Sequence, residues 1–199
     1  MSSNVYSNVF TKEEINSIIE FYESKEIKAG DRWSNNKYLE YQIPEDFSYQ
    51  ILNPKLTEIL GEHEFDTGAY KECIQPYGLH VDAYEAHQET NTITSFLSAK
   101  KHNKALLIPL VEGPAYKTVT FKCYSQVNRL DIGDWYGDKN SLDPNEFRHE
   151  KRDLTLLPVD VEYSWRLGDI LTWDRDQLHI SADFTRFGVT KKFLILFIA

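Results

Sequence analysis

The chain has 199 residues, 41% of them apolar and 14% aromatic, which is enough to close a sizeable core and fits one domain rather than a disordered segment. A formal net charge of −9 and a sequence pI near 5.2 leave no basic excess to track a phosphate backbone, so a nucleic-acid partner is disfavoured. Cys73 and Cys123 are the only cysteines, too few for a disulfide framework, and both stand in apolar stretches where a free thiol packs as a small hydrophobe.

The opening Met1-Ser2-Ser3-Asn4-Val5-Tyr6 has neither a basic n-region nor an apolar core, and the longest apolar run is the terminal Phe193 to Ala199. No signal peptide and no membrane span are expected, and a reducing, cytoplasmic location follows. Thr11 reads as a helix N-cap, with Glu14 completing a capping box, and Ile15, Ile18, Ile19, Phe21 and Tyr22 give the helix to about Lys25 an apolar face. Ala29-Gly30-Asp31 ends it. Trp33 to Tyr41 suits a short strand, and Phe47 to Leu60 is a second helical stretch interrupted by Pro54 and stopped by Gly61.

Phe65 to Gln75 is the next strand, and Pro76-Tyr77-Gly78 turns the chain into Tyr77-Gly78-Leu79-His80-Val81-Asp82. In an extended run, residues two apart share a face, so His80 and Asp82 project together as one imidazole and one carboxylate. A metal ion held by both needs a further protein ligand, and His179 is the candidate. His87 and His149 read as solvated. The polar stretch from Ala83 to Lys104 faces solvent or ligand.

Ala105 to Val111 reads as a buried strand that Pro109 places near an edge or a bulge. Thr118 to Tyr124 follows at hairpin distance and alternates by strand rules. Asp131 to Pro158 is rich in Gly, Asp, Asn and Pro around Trp135, Tyr136 and Phe147, a long loop that could close over a binding site or simply pack its aromatics. Trp165 to Asp174 is a Gly-Asp turn feeding an apolar strand. After His179 come Arg186, Lys191 and Lys192, then the terminal strand.

Helices first and short strands afterwards predict a mainly β fold, with residues 1–66 as a mainly helical support and 67–199 as the core of a single domain. From about residue 67 onward the sequence resembles the 2-oxoglutarate/Fe(II)-dependent oxygenases: His-x-Asp, a long gap, a second His after a Gly-Asp strand, then a basic residue. The resemblance implies a double-stranded β-helix, the cupin-like jelly roll, with helices packed on one side. It implies Fe(II) held by His80, Asp82 and His179, 2-oxoglutarate as cosubstrate and O2 as oxidant. Lys192 is the first choice for the cation on the far carboxylate of 2-oxoglutarate, because in relatives this residue precedes an aromatic by five positions, as Lys192 precedes Phe197; Lys191 and Arg186 stand behind it. Tyr77 or Tyr70 would donate a hydroxyl to the same cosubstrate.

In the family this resembles, members that halogenate have a small residue at the position of Asp82, so the resemblance implies hydroxylation, on a small-molecule or peptide substrate that the sequence does not name. Two imidazoles and a carboxylate on one face of Fe(II) leave adjacent positions open, the arrangement of non-haem oxygenases. The alternatives are a cupin-like protein holding a static metal, and a Zn(II) isomerase or hydrolase on the same barrel. A lysine after the second histidine has a necessary role only in the oxygenase.

Overall fold

The computed structural model describes residues 3–24, 32–33, 38–82, 104–124 and 139–199. His87, the stretch from Ala83 to Asn103, the Ala29-Gly30-Asp31 helix stop, and Trp135 and Tyr136 lie outside the described residues. In chain order the elements are β1 (Asn4–Tyr6), α1 (Lys12–Glu23), β2 (Arg32–Trp33), β3 (Tyr38–Gln42), α2 (Glu45–Phe47), α3 (Asn53–Leu60), β4 (Phe65–Cys73), β5 (Lys104–Pro109), β6 (Lys117–Tyr124), β7 (Val159–Ser164), β8 (Ile170–Asp174), β9 (Gln177–Ser181) and β10 (Lys191–Ile198). Among the described residues they form a seven-stranded sheet ordered β1-β8-β5-β10-β4-β3-β2 and a three-stranded sheet ordered β7-β6-β9. All pairings are antiparallel. The amino-terminal third therefore supplies strands to both edges of the larger sheet as well as helices.

The capping box at α1 forms, with Glu14 N–H donating to Thr11 Oγ1 at 3.2 Å and Thr11 N–H to Glu14 Oε2 at 2.8 Å. Ile15, Ile18 and Tyr22 of α1 are buried in one cluster with Tyr70, Leu106, Ile108, Leu194 and Leu196 of the larger sheet. Tyr22 stacks on Tyr70 with ring centroids 4.6 Å apart, worth about 1 kcal/mol beyond the area buried. Helical backbone runs from Glu45 to Leu60, with a π-helical stretch, Ser48–Leu52, between α2 and α3, and Pro54 falls in the first turn of α3 directly after it. Gly61, at φ 80°, stops it.

The opposite face of the larger sheet carries a second cluster, in which Ala69, Leu107, Leu171, Trp173, Phe193 and Ile195 pack with Tyr163 of β7 and Trp165 just after it. β10 is thus covered on both faces, which is why its residues are apolar at odd and even positions alike. β5 is an interior strand between β8 and β10, not an edge. Pro109 is tolerated because β8 pairs only with Lys104 to Leu107, leaving the strand's last residues beyond that ladder. Nor are β5 and β6 a hairpin: the chain crosses between the sheets there, and β6 pairs with β7 and β9.

Val119, Phe121, Cys123, Leu178 and Ile180 make the outer face of the smaller sheet, covered by Leu142, Phe147, Leu154 and Leu157 together with Leu79 and Val81. The described part of the long 131–158 stretch is therefore a packed cover. None of its residues lines the cavity described below. Both cysteines are buried and unlinked. No helix among the described residues is long and apolar enough to cross a membrane.

Gly168 and Asp169 tie the amino-terminal segment to the sheets. A Cβ on Gly168, at φ +87°, would lie 2.3 Å from Phe10 O, which itself neighbours the 3.0 Å bond from Phe10 N–H to Gly168 O. Asp169 accepts from Asn8 N–H at 3.0 Å and from the Tyr163 hydroxyl at 3.3 Å.

Candidate metal centre and its cavity

From β4 the chain crosses to the free edge of β9, where His80 forms an isolated antiparallel bridge with His179. His80 N–H donates to His179 O and His179 N–H to His80 O, each at 3.0 Å. Two residues on, Asp82 N–H donates to Arg175 O at 2.8 Å, and Arg175 Nη2 returns a bond to Asp82 O at 3.0 Å. The β8–β9 turn therefore holds the Asp82 backbone from both sides.

The ring hydrogen bonds set the tautomers. His80 Nδ1 lies 2.7 Å from Gly78 O and His179 Nδ1 lies 3.1 Å from Gln177 O. A carbonyl only accepts, so each Nδ1 carries a proton, and in the neutral imidazole it is Nε2 that holds the lone pair. Burial, reinforced by the neighbouring His179, pushes the His80 imidazole down to about 3, and the ring stays neutral. Asp82 Oδ2 stands 3.5 Å from His179 Nε2 and accepts from the indole N–H of Trp173 at 3.0 Å. One ligand atom from each of His80, Asp82 and His179 falls within 4.8 Å of the others. A cation between the Asp82 carboxylate and the two imidazoles would be met by all three groups at once. The residues fit a divalent ion that accepts mixed nitrogen and oxygen ligands, with one face left open.

These groups open on a cavity of ≈ 260 Å³, with Leu107, Trp173, Phe193, Ile195 and Phe197 as apolar walls on the larger sheet and Thr118 and Ser181 on the smaller. Its charged lining beyond the His-Asp-His group, among the described residues, is Lys191, Lys71 and Glu40. Lys71 and Glu40 pair with each other at 3.1 Å. Lys191 is only 3% exposed, with Nζ 4.4 Å from the Trp165 ring centroid and 5.0 Å from that of Phe193. It forms no ion pair or hydrogen bond among the described residues. Burial depresses its ammonium from 10.5 to about 8.

The residues singled out in the sequence divide cleanly. His80, Asp82, His179, Lys191 and Tyr77 line one cavity. Tyr77 has its ring 5.5 Å from that of His80 and its hydroxyl 3.9 Å from Cys73 Sγ, and Cys73 stands opposite Lys191 across the β4–β10 ladder. Lys192, the first choice for a pocket cation, lies on the opposite face of β10, its Nζ 2.6 Å from Glu23 Oε1 of α1. The correction follows from register: Lys191 shares a face with Phe193 and Ile195, and Lys192 with Leu194 and Leu196. Arg186 is also outside, donating to Asn145 O at 3.2 Å and lying over the Phe187 ring. Tyr70 is buried against α1, its hydroxyl 3.4 Å from Glu72 Oε2. His149 is part-buried rather than solvated, 3.1 Å from Tyr77 O.

Trp173 and Arg175, which hold Asp82, carried no sequence signal as site residues. The alternation of β8 places Leu171 and Trp173 on the cavity face, but only the fold shows that the His-x-Asp segment arrives beside them.

No family model matches the chain, and no curated protein matches it by sequence. Among solved structures, the fold matches the non-haem α-ketoglutarate-dependent epimerase SnoN from nogalamycin biosynthesis at TM-score 0.61 and 12% identity, over 99% of this chain and 78% of that one. HygX from Streptomyces hygroscopicus, with nickel and 2-oxoglutarate bound, matches at TM-score 0.60 and 14% identity over 100% of this chain and 82% of that one. An oxidoreductase of the 2OG-Fe(II) oxygenase family from Burkholderia pseudomallei matches at TM-score 0.55 and 10% identity over 100% and 84%. The chain shares its two-sheet fold with these structures.

Proposed function

We propose that the protein is a 2-oxoglutarate-dependent oxygenase that uses Fe(II) held by His80, Asp82 and His179, with Lys191 as the cation for the far carboxylate of 2-oxoglutarate. The observation that carries this reading is one cavity containing both a His-Asp-His group whose ligand atoms converge and a buried lysine lacking an anionic partner among the described residues. A buried ammonium without a counter-ion is costly, and a dicarboxylate that reaches it from the metal would relieve that cost. The chemistry supplied by iron and 2-oxoglutarate when bound is oxidation of a substrate C–H bond by O2, coupled to decarboxylation of 2-oxoglutarate to succinate.

The protein's own part is positioning. Trp173 fixes the Asp82 carboxylate, and the carbonyls of Gly78 and Gln177 fix both imidazoles. Phe193, Ile195 and Phe197 keep water from the space between the triad and Lys191. The Tyr77 hydroxyl, beside Cys73 and hence on the Lys191 side, would donate to the same carboxylate. Tyr70, Lys192 and Arg186 take no part.

Hydroxylation is the outcome we assign, because Asp82 retains its carboxylate. The prime substrate is a small molecule or the reactive end of a larger one, in keeping with a cavity of ≈ 260 Å³; the HygX structure with hygromycin B bound shows the fold accommodating a small molecule. The test is succinate release from 2-oxoglutarate by Fe(II)-loaded protein in air. His179→Ala should abolish it, and equal release by that variant would sink the assignment.

A further inference from the structure

The peptide unit that orients His80 is itself held by charged side chains from a distant segment. Gly78 C=O, the acceptor for His80 Nδ1–H at 2.7 Å, belongs to the same planar peptide as Leu79 N–H. That N–H donates to Glu150 Oε2 at 2.8 Å. On the other side of the residue, Leu79 C=O accepts from Arg152 Nη2 at 2.7 Å, and this peptide also carries His80 N–H, which bonds to His179 O. Glu150 is gripped in turn by Arg152, with Nε to Oε1 and Nη2 to Oε2 each at 2.8 Å. A Cβ on Gly78 would come within 3.1 Å of Glu150 Oε2.

We propose that Glu150 and Arg152 are positioning residues of the metal centre. Together they replace a strand partner for Leu79 and fix the planes of both peptides leading into His80. They act on electronics as well as orientation. A carboxylate accepting from an amide N–H polarises that amide, so the Gly78 oxygen becomes a stronger acceptor for His80 Nδ1–H, and Nε2 a stronger donor to a cation. The relay runs from carboxylate through peptide to imidazole and ends at the ion. This part of the chain needs such a device because residues 74–79 leave β4 without a ladder, and the single bridge at His80 offers only two backbone bonds.

The proposal rests on the metal-binding reading and adds to it the origin of the site's affinity. Co(II) titration of the full chain tests it, because absorption by Co(II) reports both affinity and ligand geometry without turnover. Glu150→Ala should weaken Co(II) binding about ten- to a hundredfold and alter the ligand-field bands. Glu150→Gln, whose amide oxygen still accepts from Leu79 N–H, should restore most of the affinity. Asp153→Ala removes the cap of a neighbouring short turn and should leave Co(II) affinity unchanged, separating the relay from general loosening of the segment.

A folded Glu150→Ala protein with the wild-type affinity and spectrum would overturn the proposal, as would equal losses in Glu150→Ala and Asp153→Ala. If Glu150→Ala does not fold, Arg152→Ala decides by the same readout: weaker binding supports the relay and unchanged binding overturns it. Wild-type protein that takes up no Co(II) would overturn the metal reading and the relay with it.

Discussion

Lys191 and Lys192 are neighbours in sequence but lie on opposite faces of the larger sheet, one enclosed in the cavity beside Trp165 and Phe193, the other 2.6 Å from Glu23 on α1. Their roles should separate accordingly. Lys191→Met removes the cation proposed to meet the far carboxylate of 2-oxoglutarate, and losing a buried charge-assisted pair costs about 2 to 5 kcal/mol, at least about thirtyfold in affinity. Lys192→Met removes a part-exposed ion pair and should leave 2-oxoglutarate binding unchanged. Anaerobic equilibrium binding to the Fe(II) protein measures both.

The depressed Lys191 ammonium predicts a pH signature. Only the protonated form attracts the dicarboxylate, so affinity should be flat below pH 8 and fall above it, by up to about tenfold per unit. The stability effect has the opposite sign. Between about 8 and 10.5 the unfolded chain holds this proton and the folded chain does not, so folding becomes more favourable as pH rises through that window. Below it the full penalty stands, about 3 kcal/mol. Lys191→Met should therefore raise the melting temperature of ligand-free protein at pH 7, with the gain shrinking toward pH 10.5. Absence of any gain at pH 7 would mean that Lys191 has a counter-ion.

Trp173 is 1% exposed and donates its indole N–H to Asp82 Oδ2 at 3.0 Å. Trp173→Phe keeps an aromatic ring but removes that bond, releasing the carboxylate to rotate. Metal affinity measured by Co(II) titration should drop about tenfold or more, with both histidines still in place.

Gly168→Ala would test the junction between the amino-terminal segment and the Gly-Asp turn. Its Cβ has no room beside Phe10 O, and φ +87° is unfavourable for any other residue. A loss of about 2 kcal/mol or more in denaturant unfolding is expected, and a neutral result would mean that residues 8–10 can move away without cost.

How much of this was legible in the sequence depends on distance along the chain. The α1 cap, the buried thiols and the convergence of His80, Asp82 and His179 rest on local pattern or on one motif, and the structure brings those residues together. The choice between Lys191 and Lys192 was beyond reach of periodicity because β10 is buried on both faces, so alternation has no polar side to reveal. Pro109 suggested an edge because a missing donor is usually tolerated there, whereas the short overlap of β8 with β5 supplies the same tolerance inside the sheet. Trp173, Arg175, Glu150 and Arg152 act through partners some 70 to 90 positions away, which no local pattern encodes.

Anaerobic addition of 2-oxoglutarate to the Fe(II)-loaded protein tests the central claim most directly, because the visible charge-transfer band arises only when the cosubstrate chelates ferrous iron. A saturable band is predicted for wild type, absent in His179→Ala, and requiring at least about thirtyfold more 2-oxoglutarate in Lys191→Met. Wild-type protein that holds one Fe(II) yet develops no band, or a Lys191→Met variant that saturates at the wild-type concentration, would contradict it.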